Sequence, residues 1–390
     1  MRFAVRAWSA LLALAALTPR AAASEVAPAA PAPAEGSPAP PTATLPANPP
    51  APAPAPSRWD WALLPLVLYA PETSLGAAFG IGIYDDTPAP PDRPRRDDSA
   101  SLLLQGTLKK QVVVAFSGVK FWHAGREQLT EDVSLVDFPN VFWGVGNDTP
   151  ESARDLFTQS LGISRTSFAV RLPGETYVGA GAAAGWYRTS GGTTGGAVEA
   201  YGTAVPTRGP AIGVGPLARR DTRDDALGPH RGSLTSLSAT FFPGFLGSTY
   251  HFQQYEFDQR TYLGLGGRTV LAMEAYGLYA PGTVPLAELP ALGGSSRLRG
   301  YFQGRFRDHL YLMGQLEARI RIVGRFSVAP FGGVGNVFGS PSDVSFDRTK
   351  VAGGLSVRFR VKKERELNVH IDAAKSPISS GIYLNMGEAF

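Results

Sequence analysis

Cysteine is absent from all 390 residues. The chain therefore forms no disulfide, even in an oxidising compartment, and carries no thiol for a lipoprotein anchor. A long apolar run is also missing, since no stretch of 58–390 has enough consecutive apolar residues for a helical membrane span. Charge of one sign is scarce too. The 37 Lys and Arg nearly balance 33 Asp and Glu, and the net +4 is scattered rather than gathered in a stripe, which argues against a nucleic-acid surface. The histidines His123, His230, His251, His309 and His370 show neither HExxH nor any other metal-ligand spacing. No metal and no cofactor is expected. The glycine and alanine run over 179–185 has the wrong spacing for a dinucleotide loop, and Trp186 and Tyr187 follow it instead of a helix. It reads as small residues on a strand, leaving room for a neighbouring element.

What is there is alternation. Leu310, Leu312, Leu316, Ala318, Ile320 and Ile322 fall on one parity, and His309, Tyr311, Gln315, Glu317, Arg319 and Arg321 on the other. A period of two makes a strand with one apolar and one charged face. Similar segments separated by turn residues occur at 74–84, 100–109, 112–121, 157–172, 176–188, 211–221, 233–242, 250–263 and 268–279, and again at 309–322, 326–337, 351–361, 367–373 and 381–390. The segment 131–143 is expected to add one or two more. Near the end, Arg358 and Arg360 alternate with Val357 and Phe359, and His370 and Asp372 flank Ile371. A charge facing hydrocarbon costs about 2–4 kcal/mol at mid-membrane, so these charges are expected to face inward. The expected fold is all-β: a transmembrane antiparallel barrel with lipid outside and a polar lumen. A soluble antiparallel sandwich is the alternative, since its outer faces are polar too.

The start of the chain favours the membrane. Arg2 and Arg6 precede an apolar run over 7–17 and the small residues Ala21, Ala22 and Ala23, the pattern of a cleaved secretory signal peptide over 1–23. Residues 24–57 are rich in Ala and Pro with almost no large apolar side chain, which favours an extended, disordered linker over a packed module. The barrel domain is then 58–390. At the other end Ile382, Leu384, Met386 and Phe390 share one parity and are expected to face lipid, with Phe390 in the aromatic girdle. This pattern resembles the C-terminal signal by which bacterial outer-membrane proteins are recognised for insertion.

Four stretches carry a wider resemblance. They are Tyr69-Ala70-Pro71-Glu72-Thr73; the segment 138–147, which contains Phe142-Trp143-Gly144; Arg220-Asp221-Thr222-Arg223-Asp224 followed by Pro229-His230-Arg231-Gly232; and Leu298-Arg299-Gly300-Tyr301. On these residues the chain resembles the Omp85 superfamily, the surface-antigen D15 or BamA/TamA-like barrels, over essentially all of 59–390. The resemblance implies sixteen strands, with a lumen-inserted loop between the eleventh and twelfth. Five segments follow the loop, as required; nine precede it, so two more are sought in 131–143 or 191–204.

The resemblance also implies that the loop motif, Gly293, Gly294, Arg299, Gly300 and Tyr301, is held by the arginine reaching back to acids on the wall. A guanidinium offers a fixed fork of donors to carboxylates, and glycine beside it lets the backbone turn. Glu317 is the expected acceptor on the strand after the loop. The second family acid falls at Gly333, within Phe331-Gly332-Gly333-Val334-Gly335-Asn336-Val337, so half of the lock is missing. Arg299 then rests on Glu317 or recruits another inward acid such as Glu274, Asp258 or Asp372. A clamp on Glu317 by itself predicts a more mobile loop. The plainer reading of Arg299 is a solvated loop arginine.

Catalysis has little to stand on. His370 oriented by Asp372 and acting on Ser356 is the one arrangement to weigh, and no nucleophile motif supports it. The resemblance implies a non-enzymatic protein of the bacterial outer membrane that acts in membrane biogenesis or polypeptide insertion and translocation. Its expected partners are outer-membrane lipids, the insertion machinery for its own assembly, and unfolded client polypeptides. The relatives that do this carry POTRA modules before the barrel. Here only the Ala/Pro linker stands there, so client delivery is expected to need a separate partner. A passive channel or structural barrel is the alternative.

Overall fold

The computed structural model describes residues 59–85, 98–225, 228–362, 367–386 and 388–390. The expected signal peptide, 1–23, and the linker, 24–57, lie outside the described residues. Eleven strands precede the lumen loop: β1 (Trp59–Ala70), β2 (Ser74–Asp85), β3 (Ser99–Thr107), β4 (Val112–Trp122), β5 (Glu127–Phe142), β6 (Asp155–Leu172), β7 (Thr176–Gly191), β8 (Arg208–Asp221), β9 (Gly232–Phe242), β10 (Phe252–Gly264) and β11 (Thr269–Tyr279). Within the loop, β12 (Ala291–Leu292) and β13 (Phe306–Arg307) form a small hairpin. After it come β14 (Leu310–Val323), β15 (Phe326–Phe338), β16 (Lys350–Lys362), β17 (Leu367–Lys375) and β18 (Ser380–Met386). All but β12 and β13 join one closed sixteen-strand antiparallel barrel, in which β11 pairs with β14 across the loop and β18 returns to β1.

The segment 131–143 yields one strand, β5, within the one or two expected, but 191–204 yields none: β7 runs on to Gly191 and a short helix, α1 (Ala197–Ala204), follows. The remaining strand is β1, which two-residue alternation does not reveal. Its run Ala62-Leu63-Leu64-Pro65-Leu66-Val67-Leu68 is apolar at every position. Trp61, Leu63 and Val67 point outward and are exposed, while Leu66 and Leu68 pack against the apolar cluster inside the barrel. A wall that is apolar on both faces erases the period-two signal. Pro65 is tolerated because β1 is bonded along its full length on only one side, to β2.

Burial is inverted relative to a soluble sandwich. Leu316, Leu355 and Ile371 are 53 %, 48 % and 54 % exposed, whereas Glu317, Ser356 and Asp372 on the opposite parity are fully buried. The chain is therefore a transmembrane barrel, with its greasy face turned to hydrocarbon and its ions sealed within. The lumen itself is divided. Apolar side chains line it along β1 to β7, with Leu103, Val113, Val136, Phe157 and Ile163 among them, and ionic side chains line it along β10, β11, β14, β16 and β17.

Candidate functional site

The loop 280–309 turns back into the lumen rather than away from it. Ala291 and Leu292 pair with Arg307 and Phe306, and Gly293 and Gly294 make the turn with φ of +96° and +117°. Those angles suit glycine and strain other residues. At the tip, Gly300 has φ of +112° and lies so close to β17 that an added Cβ would stand 3.0 Å from the Lys375 carbonyl carbon. The tip is held through both backbone polar groups of Gly300. The Gly300 amide donates to Tyr383 Oη at 3.0 Å, and its carbonyl accepts from Ser379 Oγ at 2.5 Å and Ser376 Oγ at 3.2 Å. Tyr301 is buried edge-on to Phe306, with ring centroids 6.2 Å apart, in a cluster with Leu292, Leu298 and Met313.

Arg299 sits at the centre, and its guanidinium is sealed from solvent. Nη2 donates to Glu317 Oε2 at 2.8 Å on β14, Nη1 donates to Asp372 Oδ2 at 2.6 Å on β17, and the guanidinium lies 3.5 Å from the centroid of the Phe331 ring. Its third face is thus covered by an aromatic, with Nε left unbonded. The solvated-arginine reading does not describe this side chain. Nor does a clamp on one acid: the second acceptor is Asp372, one of the inward acids that Arg299 had available once Gly333 removed the expected one. Position 333 has no room for a carboxylate. A Cβ there would stand 2.9 Å from Gln315 Cβ and 3.2 Å from Leu298 Cδ1, because the loop residue Leu298 fills that space.

The clamp belongs to a larger ion cluster. Glu317 also accepts from Arg319 at 2.9 Å and Arg358 at 2.5 Å, Glu388 pairs with Arg319 at 3.1 Å and with Arg358, and Asp372 accepts from His370 Nδ1 at 2.7 Å. Three guanidiniums, those of Arg299, Arg319 and Arg358, thus meet the side-chain carboxylates of Glu317, Asp372 and Glu388, with His370 beside Asp372 and a Phe390 oxygen on Arg319. The His370, Asp372 and Ser356 trio is part of this cluster. Ser356 Oγ accepts from Arg358 Nε at 3.1 Å, and all three side chains are sealed from solvent.

A second fork lies beside the first, and sequence reasoning missed it. Arg297 donates to Asp258 Oδ2 at 3.0 Å and Glu274 Oε1 at 3.2 Å, with its guanidinium 3.3 Å from the Tyr276 ring centroid. Burial pushes the Arg297 pKa down, and Glu274 with Asp258 more than reverse this, holding it above the ordinary range. Asp258 and Glu274, candidate acceptors for Arg299, therefore serve its neighbour two residues away. The signal was available: Arg297 and Arg299 share a parity in Arg297-Leu298-Arg299, facing two groups of inward acids. The outer part of the loop is fixed as well, by Glu288 accepting from Arg165 at 2.8 Å and Tyr187 at 3.1 Å, and by Val284 O accepting from Tyr201 of α1 at 2.7 Å. Gly146, in the segment 138–147, donates its amide to Arg307 O at 2.8 Å.

At the end of the chain Ile382 faces outward, exposed, and Leu384 is half-buried; the Met386 side chain lies outside the described residues. Phe390 departs from the expected girdle. β18 is described to Met386, and Phe390 is buried inside the barrel against Tyr262, Val270 and Ala272, a main-chain oxygen of Phe390 accepting from Arg319 Nη2 at 2.9 Å. The ion cluster draws the last residues inward, and parity counted along an unbroken strand no longer applies.

The closing seam is the other unusual feature. Among the described residues β1 and β18 share one register pair, Tyr69 with Leu384, while every other pair of neighbouring wall strands shares six or more. β18 spans 7 residues and β6 spans 18. About 9–11 residues are needed to cross a bilayer, so the wall is short at the seam.

Residues 213–390 match the family model of the Omp85 superfamily domain. Among solved structures, BamA from Haemophilus ducreyi lacking POTRA domains 1–3 superposes with a TM-score of 0.59 at 14 % identity, over 84 % of this chain and 70 % of that one. CdiB from Acinetobacter baumannii gives 0.54 at 13 % identity over 85 % and 60 %, and CdiB from Escherichia coli gives 0.52 at 13 % over 81 % and 60 %. At these identities the likeness is one of fold. No curated protein matches the chain in sequence.

Proposed function

Residues 213–390 match the Omp85 superfamily domain, and from that likeness we propose that the barrel works in a bacterial outer membrane, inserting or translocating polypeptide through the seam between β1 and β18. The seam carries the proposal. With one register pair, it is the place where the wall opens at the smallest loss of backbone hydrogen bonds, and the seven-residue β18 beside it favours a locally thinned bilayer. Arg299, Glu317 and Asp372 keep the loop in the lumen while the seam works. Outer-membrane lipids surround the wall, the cell's insertion machinery assembles the barrel, and an unfolded client arrives through a separate delivering partner. A passive channel has no comparable support, because the loop turns into the lumen and is fixed both at its tip and along its outer part.

The seam gives a direct test, since the chain has no cysteine of its own. Paired residues on antiparallel strands have Cα atoms about 4.5–5.5 Å apart, within reach of a disulfide. A Tyr69→Cys, Leu384→Cys double variant is expected to insert radiolabelled outer-membrane barrels into lipid vesicles when reduced and to stop when oxidised. Equal activity in both states rules out passage through the seam.

A further inference from the structure

A cavity of about 260 Å³ lies between β1, β3, β4 and β5 and the inner loop. One side is apolar: Leu66, Leu68, Leu103, Val113, Val136 and Phe138 all face it. These strands already present apolar residues to lipid, so this inner face does not serve as the wetted wall of a channel. The other side is polar and incompletely bonded. Glu72 Oε2, Gln159 Oε1, Arg307 Nε and Asn385 Nδ2 are buried in the cavity wall without a hydrogen-bond partner. Burial lifts the Glu72 carboxyl to about 7, against the weaker pull of Lys109, so near neutrality it both donates and accepts. The cavity also reaches the outward-pointing Tyr69 and the seam residue Leu384. It therefore abuts the seam, the point where the wall is least closed.

We propose that this cavity binds one acyl chain bearing a hydrogen-bonding head group, a fatty acid or lysophospholipid, admitted from the membrane through the β1 and β18 seam. The apolar side takes the chain, and the unpartnered donors and acceptors take the head. Volume selects among occupants. At about 260 Å³ the cavity lies below the roughly 300–1,000 Å³ of ordinary small-ligand pockets, which favours a single chain over a peptide hairpin or a two-chain lipid. Water fits the polar side and leaves six apolar side chains facing it at a cost. The inference stands whether or not the barrel transports polypeptide.

The test uses the full barrel in lipid nanodiscs with photoreactive probes in parallel: a diazirine fatty acid, a diazirine lysophospholipid and a diazirine two-chain phospholipid. Cross-linked residues are located by mass spectrometry. At least one single-chain probe is expected to label inward Leu68, Leu103 or Val113, and the comparison of the two identifies the head group. The two-chain probe is expected to label only outward positions such as Leu63, Leu104 and Val112. Val113→Trp fills the cavity and is expected to reduce inward labelling at least tenfold with outward labelling unchanged. Should that variant fail to fold, the wild-type map still decides, because inward and outward residues alternate on the same strands. Single-chain probes found only at outward positions overturn the proposal, and so does equal inward labelling by the two-chain lipid.

Discussion

Removing the Arg299 guanidinium tests the lumen clamp most directly. Arg299→Met keeps an apolar side chain of similar length and deletes the charge. Glu317 retains Arg319 and Arg358, while Asp372 loses its guanidinium partner and is left with His370. Breaking a sealed ion pair by removing one partner costs about 3–5 kcal/mol, whereas an exposed pair is worth about 1 kcal/mol or less. Both carboxylates and Arg299 are fully buried, so the larger range applies. Glu317→Gln is expected to cost at least as much, since that one acid serves three guanidiniums. Combining Arg299→Met with Asp372→Leu removes both members of that pair, and the double variant is expected to be more stable than the sum of the single losses by about 2 kcal/mol. Equilibrium urea unfolding from lipid vesicles, followed by tryptophan fluorescence, measures each value. A loss below about 1 kcal/mol for Arg299→Met refutes the reasoning, because it makes the clamp no stronger than a solvated pair. The same variant is expected to raise conductance in planar bilayers as the loop leaves the lumen, and an unchanged steady current removes the loop from gating.

Restoring the family carboxylate with Gly333→Asp is expected to destabilise rather than help, by about 1–3 kcal/mol, because the new side chain meets Gln315 and Leu298; an unfolding midpoint at or above wild type contradicts this. Glu72, in the turn between β1 and β2, gives a pH signature. Its carboxyl titrates near the ordinary 4.5 when unfolded and near 7 when folded, burial being the main cause. Between those values the folded state binds more protons, so stability falls as pH rises through the window and levels off above about 7, a loss of about 3 kcal/mol in all. Glu72→Gln is expected to abolish that slope in unfolding measured from pH 5 to pH 8, and an identical slope in the variant excludes Glu72 as its source.

Much of this was legible in residue order. Alternation over 309–322 and 351–361 determined which side chains face lipid and which face the lumen, because a strand places successive residues on opposite faces and hydrocarbon does not accept charge. The turn glycines and Arg299 marked the loop, since few residues other than glycine adopt the positive φ found at 293, 294 and 300. β1 escaped because both its faces are apolar, and Phe390 was misplaced because a buried ion cluster, a contact between distant segments, holds the last residues inside the barrel. The second acceptor of Arg299 was decided only in three dimensions. A sequence lists the inward acids, but whether Asp372, Glu274 or Asp258 meets a given arginine depends on strand order around a closed wall and on how deep the loop reaches. Closure brings β17 beside the loop tip, places Leu298 over Gly333, and gives Arg297 the acids that Arg299 does not use.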